Sequence, residues 1–127
     1  MHSPAYLSQL NDKTAFLRRL FAGVPMPEWR VYPSPERHYR MRAEFRIWHD
    51  GENISYAMFE HGKKAGGASV IRITEFPAAA ISINRLMPEL LAAVSADPVL
   101  KNRLYQCEFL STLSGDMLIT LIYHRKL

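Results

Sequence analysis

Cysteine is almost missing from this chain: Cys107 stands alone. One thiol excludes an internal disulfide and fits a reducing compartment, so a cytoplasmic protein is expected. No run of 18 apolar residues occurs, which argues against a transmembrane helix and a membrane partner. The first residues lack a basic segment followed by an apolar one, so no secretory signal is expected. No Cys/His spacing suits zinc, and neither GxGxxG nor a P-loop is present. Gly66-Gly67 lies in a lysine-bearing loop and is too little to bind a nucleotide by itself. Cys107 sits in Tyr-Gln-Cys-Glu-Phe with no paired histidine, and reads as a small packing residue rather than a nucleophile. Internal repeats and low-complexity tracts are absent as well. No catalytic residue and no metal ligand set is therefore expected in these residues. Acidic residues are outnumbered 12 to 16 by lysine and arginine, giving a net charge of +4. That mild excess favours acidic partners such as RNA. The length of 127 residues suits one domain with a real core.

The most informative stretch is His38-Tyr39-Arg40-Met41-Arg42-Ala43-Glu44-Phe45-Arg46-Ile47-Trp48-His49-Asp50-Gly51. Ala43, Phe45 and Ile47 alternate with Arg42, Glu44, Arg46 and Trp48. This period of two predicts a half-buried strand, with its odd face toward a core. The even face carries two guanidinium groups and an indole, with Arg40 just before them. Cations meet phosphates and rings stack on bases, so such a face suits RNA. An equally good reading is a solvated face with an Arg–Glu–Arg ladder. Asp50-Gly51 marks a hairpin. His49 falls on the core side and reads as structural, whereas His38 and His124 lie beside basic residues and are candidates for RNA contact.

Around this strand the chain organises simply. Residues 4–23 predict a helix capped by Ser3, with Pro4 in its first turn and Gly23 and Pro25 ending it. Leu7, Leu10, Leu17, Leu20 and Phe21 form its apolar side, interrupted by Thr14; Arg18 and Arg19 lie off it and face solvent. Residues 24–37 hold Pro25, Pro27, Pro33 and Pro35 and predict an extended connector pinned by Trp29, Val31 and Tyr32. A second strand is expected over 54–60, a mobile loop with Lys63 and Lys64 over 61–69, and a third strand over 70–74. A second helix over 78–95 should pack on the sheet, with Pro88 kinking or restarting it. A short turn through Val99 and Leu100 leads to a fourth strand over 104–113. Ser114-Gly115-Asp116 turns into the apolar run 117–123, expected as a central strand covered on both faces. The order implies an α+β domain: a largely antiparallel five-stranded sheet with two main helices packed on one face. So apolar a strand this late in the chain also suggests the front of a longer protein.

The segment from Ser34-Pro35 through Arg42-Ala43-Glu44-Phe45-Arg46-Ile47-Trp48-His49-Asp50-Gly51 resembles the tRNA (uracil-5-)-methyltransferases of the TrmA type. Phe76-Pro77-Ala78-Ala79, Asn84-Arg85-Leu86-Met87, Pro98-Val99-Leu100, Leu113-Ser114 and Tyr123-His124-Arg125-Lys126-Leu127 follow in the family's order. The resemblance implies a parent enzyme that methylates C5 of the T-loop uridine of tRNA with S-adenosyl-L-methionine. In that chemistry a cysteine thiolate adds to C6, C5 takes the methyl group, and a base removes the C5 proton. The target base must first be extruded from the T-loop. The family's nucleophile, base and methyl-donor fold lie C-terminal to the matched portion, and Cys107 lies outside the nucleophile motif. Residues 1–127 are thus expected to be a single N-terminal substrate-RNA-binding domain, inactive alone, binding no cofactor and lacking the C-terminal methyltransferase domain.

By position the resemblance implies that Arg46 approaches the RNA near the active site. Tyr105 stands where the family tends to have a base-stacking phenylalanine, and His124 matches a histidine with a similar role. Arg40 and Arg42 match in identity, with a purely structural role as the alternative. The expected partner is the T-arm of tRNA. Two other readings compete: a freestanding RNA-binding module, and a protein-interaction domain that dimerises through its exposed C-terminal strand.

Overall fold

The computed structural model describes residues 2–64 and 66–126. Leu127, the last residue of the resemblance, lies outside them. The elements are α1 (Pro4–Leu20), β1 (Arg42–Asp50), β2 (Asn53–Phe59), β3 (Val70–Ile73), α2 (Ile81–Ser95), α3 (Pro98–Lys101), β4 (Leu104–Ser111) and β5 (Met117–Tyr123). The strands form one antiparallel sheet in the order β3-β2-β1-β4-β5. This is the expected α+β class with a five-stranded antiparallel sheet.

β1 occupies the middle because it can satisfy both edges while burying only one face. Ala43, Phe45 and Ile47 are buried, as their alternation requires. Phe45 meets the rings of Tyr56, Phe76 and Phe109 edge-on, with centroids 5.6, 5.6 and 6.0 Å away. Ile83, Met87 and Val94 of α2 close this core from above. The Tyr56 hydroxyl donates to the Met87 carbonyl at 2.7 Å, so the one polar atom on that ring is satisfied and α2 is fixed over β2. The β1–β2 turn places Gly51 at φ +60°, a conformation that glycine adopts without steric cost.

The approach to α2 is held by side chains rather than by propensity. Asn84 accepts from the Phe76 amide at 2.7 Å and donates to the carbonyls of Phe76 and Ala79. That fixes residues 76–80 as a turn, so the helix starts at Ile81 rather than at residue 78. Arg40 pairs its backbone with this turn, donating to Ala78 and accepting from Ala80. The helix runs unbroken through Pro88, where a kink or restart is predicted. Asp97 caps α3 by accepting from the Val99 and Leu100 amides, which makes the expected turn a short helix.

Two expectations fail for identifiable reasons. β5 is an edge strand, not a central one. Met117, Ile119, Leu121 and Tyr123 pack against the core, but Leu118 on the other face is 60% exposed. The strand is apolar on both sides, yet only one side has an element to cover it. The second failure concerns α1, which has no buried residue; of the two long helices, α2 alone joins the core. Ser3 caps α1 as expected, through its bond with the Tyr6 amide. The helix rests on the proline-rich connector: the Tyr6 hydroxyl donates to the Ser34 carbonyl at 2.8 Å, and Phe21 meets Trp29 edge-on. Leu7, Leu17 and Leu20 therefore stay exposed. The loop 61–69 is anchored by Ser69, whose hydroxyl donates to the Lys64 carbonyl at 2.7 Å. Among the described residues no helix is long and apolar enough to cross a membrane.

Replacing Phe45 with Ala removes a ring at the centre of this packing and is expected to cost about 3–5 kcal/mol, read from urea unfolding. Burial pushes the Cys107 thiol up from an ordinary value near 9 to about 12, and raises the Tyr56 phenol by the same cause with the Cys107 charge adding to it. Both groups bind their proton more tightly in the folded state. Stability is then full below the unfolded thiol value and is lost as pH rises through the window between 9 and about 12. The thiol contributes a slope of about 1.4 kcal/mol per pH unit there. Urea midpoints measured across that window should fall for the wild type and fall less steeply for Cys107→Ala.

Candidate nucleic-acid interface

The face of the sheet turned away from α2 carries the even residues of β1. Arg46 pairs with Ala57 of β2 and Gln106 of β4, and Ala57 pairs in turn with Arg72. Ala57 is only 1% exposed although it lies outside the core cluster, so the larger side chains of this face bury it. A small residue there leaves room for the Arg46 guanidinium beside it.

A β-bulge builds the other half of the site. Pairing between β4 and β5 passes from Leu104↔Tyr123 to Gln106↔Ile122, leaving Tyr105 as an extra residue on β4. Leu104 and Cys107 are both buried in the core, and the two residues between them leave it. Tyr105 thereby comes beside Arg46: the guanidinium carbon stands 3.9 Å over the tyrosine ring. On the other side of Tyr105, His124 stacks with a centroid separation of 3.7 Å and an interplanar angle of 20°. The result is a column of guanidinium, phenol and imidazole.

More rings extend from Arg46. Its guanidinium carbon is 5.2 Å from the Phe59 ring centre, and Phe59 meets Trp48 edge-on at 6.3 Å. The loop carrying Gly67 lies over Trp48; a methyl group added at Gly67 would meet that ring at 3.7 Å. Arg46 makes no ion pair among the described residues, and its Nε is buried without a hydrogen-bond partner. Its charge is held by π faces instead of by a carboxylate, an attraction of about 0.5–2 kcal/mol per contact.

Arg42 behaves differently. Glu44 and Glu108 stand directly opposite each other on β1 and β4, a repulsive arrangement. Arg42 reaches both, at 3.0 and 3.9 Å, and Gln106 donates to Glu108. The charge ladder read from the sequence thus exists, and it takes Arg42 and leaves Arg46 out. Arg40 is exposed just before β1, and its side chain makes no ion pair among the described residues. His38 uses its ring on the Ala79 carbonyl at 2.8 Å, and His49 uses its own on the Leu104 carbonyl at 2.7 Å. Lys63 pairs with Glu60.

Of the expected residues, Arg46, Tyr105 and His124 come together, while Arg40 and Arg42 lie apart from them. Phe59 escaped the sequence reading, because it shares its face of β2 with Asn53, Ser55 and Ala57 and nothing local links it to residue 46. The bulge left a trace: apolar residues at 104, 107 and 109 break the period of two. Among the described residues every strand pair of the sheet is antiparallel, so the parallel strand–loop–helix crevice of a doubly wound fold does not occur in them.

Comparison with known proteins gives the chain a family. The family model described as tRNA (Uracil-5-)-methyltransferase matches residues 5–127. A tRNA/tmRNA (uracil-C(5))-methyltransferase of Neisseria meningitidis serogroup A is 61% identical over 122 residues, covering 96% of this chain and 34% of the relative. Enzymes of the same name from Acinetobacter baylyi and Pectobacterium atrosepticum are 50% and 52% identical, covering 98% and 96% of this chain and 35% and 32% of the relatives. The chain spans about a third of the length of these curated relatives. With its whole sheet, α2 and all of α1 but Pro4 inside the matched region, the chain belongs to the tRNA (uracil-5-)-methyltransferase family.

Proposed function

We propose that the whole protein methylates C5 of a uridine in the T-loop of tRNA, using S-adenosylmethionine in the cytoplasm, and that this chain is its N-terminal RNA-binding portion. The column of Arg46, Tyr105 and His124 carries this reading. A base laid on the free face of His124 continues a stack that the protein has already begun, and each such contact is worth about 1–3 kcal/mol. Arg46 adds a positive charge that no carboxylate of the described residues neutralises. The relatives' name supports tRNA as the substrate. Cys107 is unsuited to attack a base: it is 1% exposed, and its thiol is held up to about 12. Arg42, committed to two glutamates, keeps the sheet face from repelling itself, and Arg40 is free to meet a phosphate.

Binding of a labelled T-arm stem-loop, set against a scrambled hairpin at two salt concentrations, tests this. The chain should prefer the T-arm. Arg46→Ala and Tyr105→Ala should each weaken binding by about 5- to 150-fold, the equivalent of one lost stack. Equal affinity for the two RNAs would overturn the reading.

A second reading is favoured by the position of β5. Its outer edge is unpaired among the described residues, and Leu118 is 60% exposed. Pairing of two copies through β5 would satisfy that edge. Sedimentation equilibrium should then give a dimer, and a monomer at high concentration would remove this reading.

A further inference from the structure

Two hollows flank the column on the side of the short helix α3. They share His49 and Arg103 as walls. The first opens beside Tyr105 and His124, and the second reaches Lys101 and Arg125. The backbone holds Arg103 between them by an uncommon geometry. Its φ is +61°, the left-handed region that few non-glycine residues adopt, and its carbonyl accepts from the His124 amide at 3.1 Å. The bond that seats His124 in the column therefore also fixes where Arg103 stands.

The charges in this place are unequally committed. Lys101 bonds to the Glu52 carbonyl at 3.1 Å and carboxylate at 3.4 Å. Arg125 donates to the Val99 carbonyl at 2.8 Å and lies 4.9 Å from the Tyr123 ring, which holds its guanidinium in place without neutralising it. Its Nε is buried and unpartnered. Arg103 is exposed, and neither arginine forms an ion pair among the described residues. One held guanidinium, that of Arg125, and one exposed guanidinium on a fixed backbone, that of Arg103, thus stand beside the end of a stacking column; Glu52 also lines the second hollow, but its carboxylate bonds to Lys101 and to neither arginine.

We propose that this double hollow is a phosphate-binding site, in which Arg103 and Arg125 hold the phosphodiester next to a base stacked on His124. The proposal rests on the RNA-binding reading above. It assigns the two arginines a different duty from that of the column: phosphate contacts set position and affinity, while stacking on an extruded base selects the T-arm. Guanidinium suits the task because its forked donors match a phosphate's oxygens.

The test is the salt dependence of binding by the full chain, with the T-arm stem-loop and the scrambled hairpin as probes. Arg103→Asn removes the charge with a residue that tolerates a left-handed backbone, and Arg125→Gln removes the charge while keeping an uncharged hydrogen-bonding side chain. Melting curves establish that both variants fold. Each variant should lower the slope of log affinity against log salt by about 0.7–0.9, the loss of one phosphate contact. Both RNAs should weaken by the same factor, leaving their ratio unchanged. Arg103→Lys should retain the slope. If the wild type binds and the slopes of Arg103→Asn and Arg125→Gln match it, the phosphate site is overturned while the RNA-binding reading stands. A loss confined to the T-arm also overturns it, because the arginines would then be reading the loop itself. Failure of the wild type to bind either RNA at about 50 mM salt overturns the RNA-binding reading and this inference with it.

Discussion

Phe45 sits at the crossing point of the structure. Three rings meet it edge-on, from β2, from the turn before α2 and from β4. Because it is the middle of the middle strand, its burial fixes which face of β1 looks inward. A slip of one residue would send Phe45 to solvent and bring Arg46 into the core. The placement of every group on the open face follows from that choice. The same ring also ties sheet to helix, since Tyr56 both touches Phe45 and bonds to the Met87 carbonyl of α2.

The open face uses the opposite physics. Where the core excludes charge, this face gathers it and sorts it into two kinds. Arg42 answers two glutamates that the strand register forces together. Arg46 sits between Tyr105 and Phe59 and keeps its charge unpaired. A guanidinium held between rings has its rotamer already chosen, so an anion that met it would cost it little further freedom. The bulge at Tyr105 makes this possible. One extra residue in β4 brings a ring to the outer face without disturbing the buried Leu104 and Cys107 on either side.

Much of this was legible in the residues and some was not. The alternation of β1, the cap at Ser3 and the hairpin at Gly51 are local features, and the structure realises all three. Arg46 and His124 were legible from their basic surroundings and Tyr105 only through resemblance, and no periodicity brings residues 46, 105 and 124 together. Their meeting depends on β1 pairing with β4 and β4 with β5. Phe59 was silent because it stands at the end of a face that begins with Asn53 and Ser55, and its nearness to Arg46 depends on the pairing of β1 with β2.

The amino-acid sequence by itself determined the order of the main elements, that β1 has a wet face and a dry one, and that the chain carries a modest positive charge. These depend on neighbours a few residues apart, which a reader of the sequence can see. Only the tertiary structure decided the fate of the two apolar segments at the ends. Met117–Tyr123 became an edge strand because among the described residues only β4 pairs with it, and half of its apolar surface stays open because α2 covers one side of the sheet alone. The leucines of α1 stayed exposed because the helix came to rest on the proline-rich connector and not on the core of the sheet. Hydrophobicity makes a segment able to be buried; whether it is buried depends on a partner that lies elsewhere in the chain.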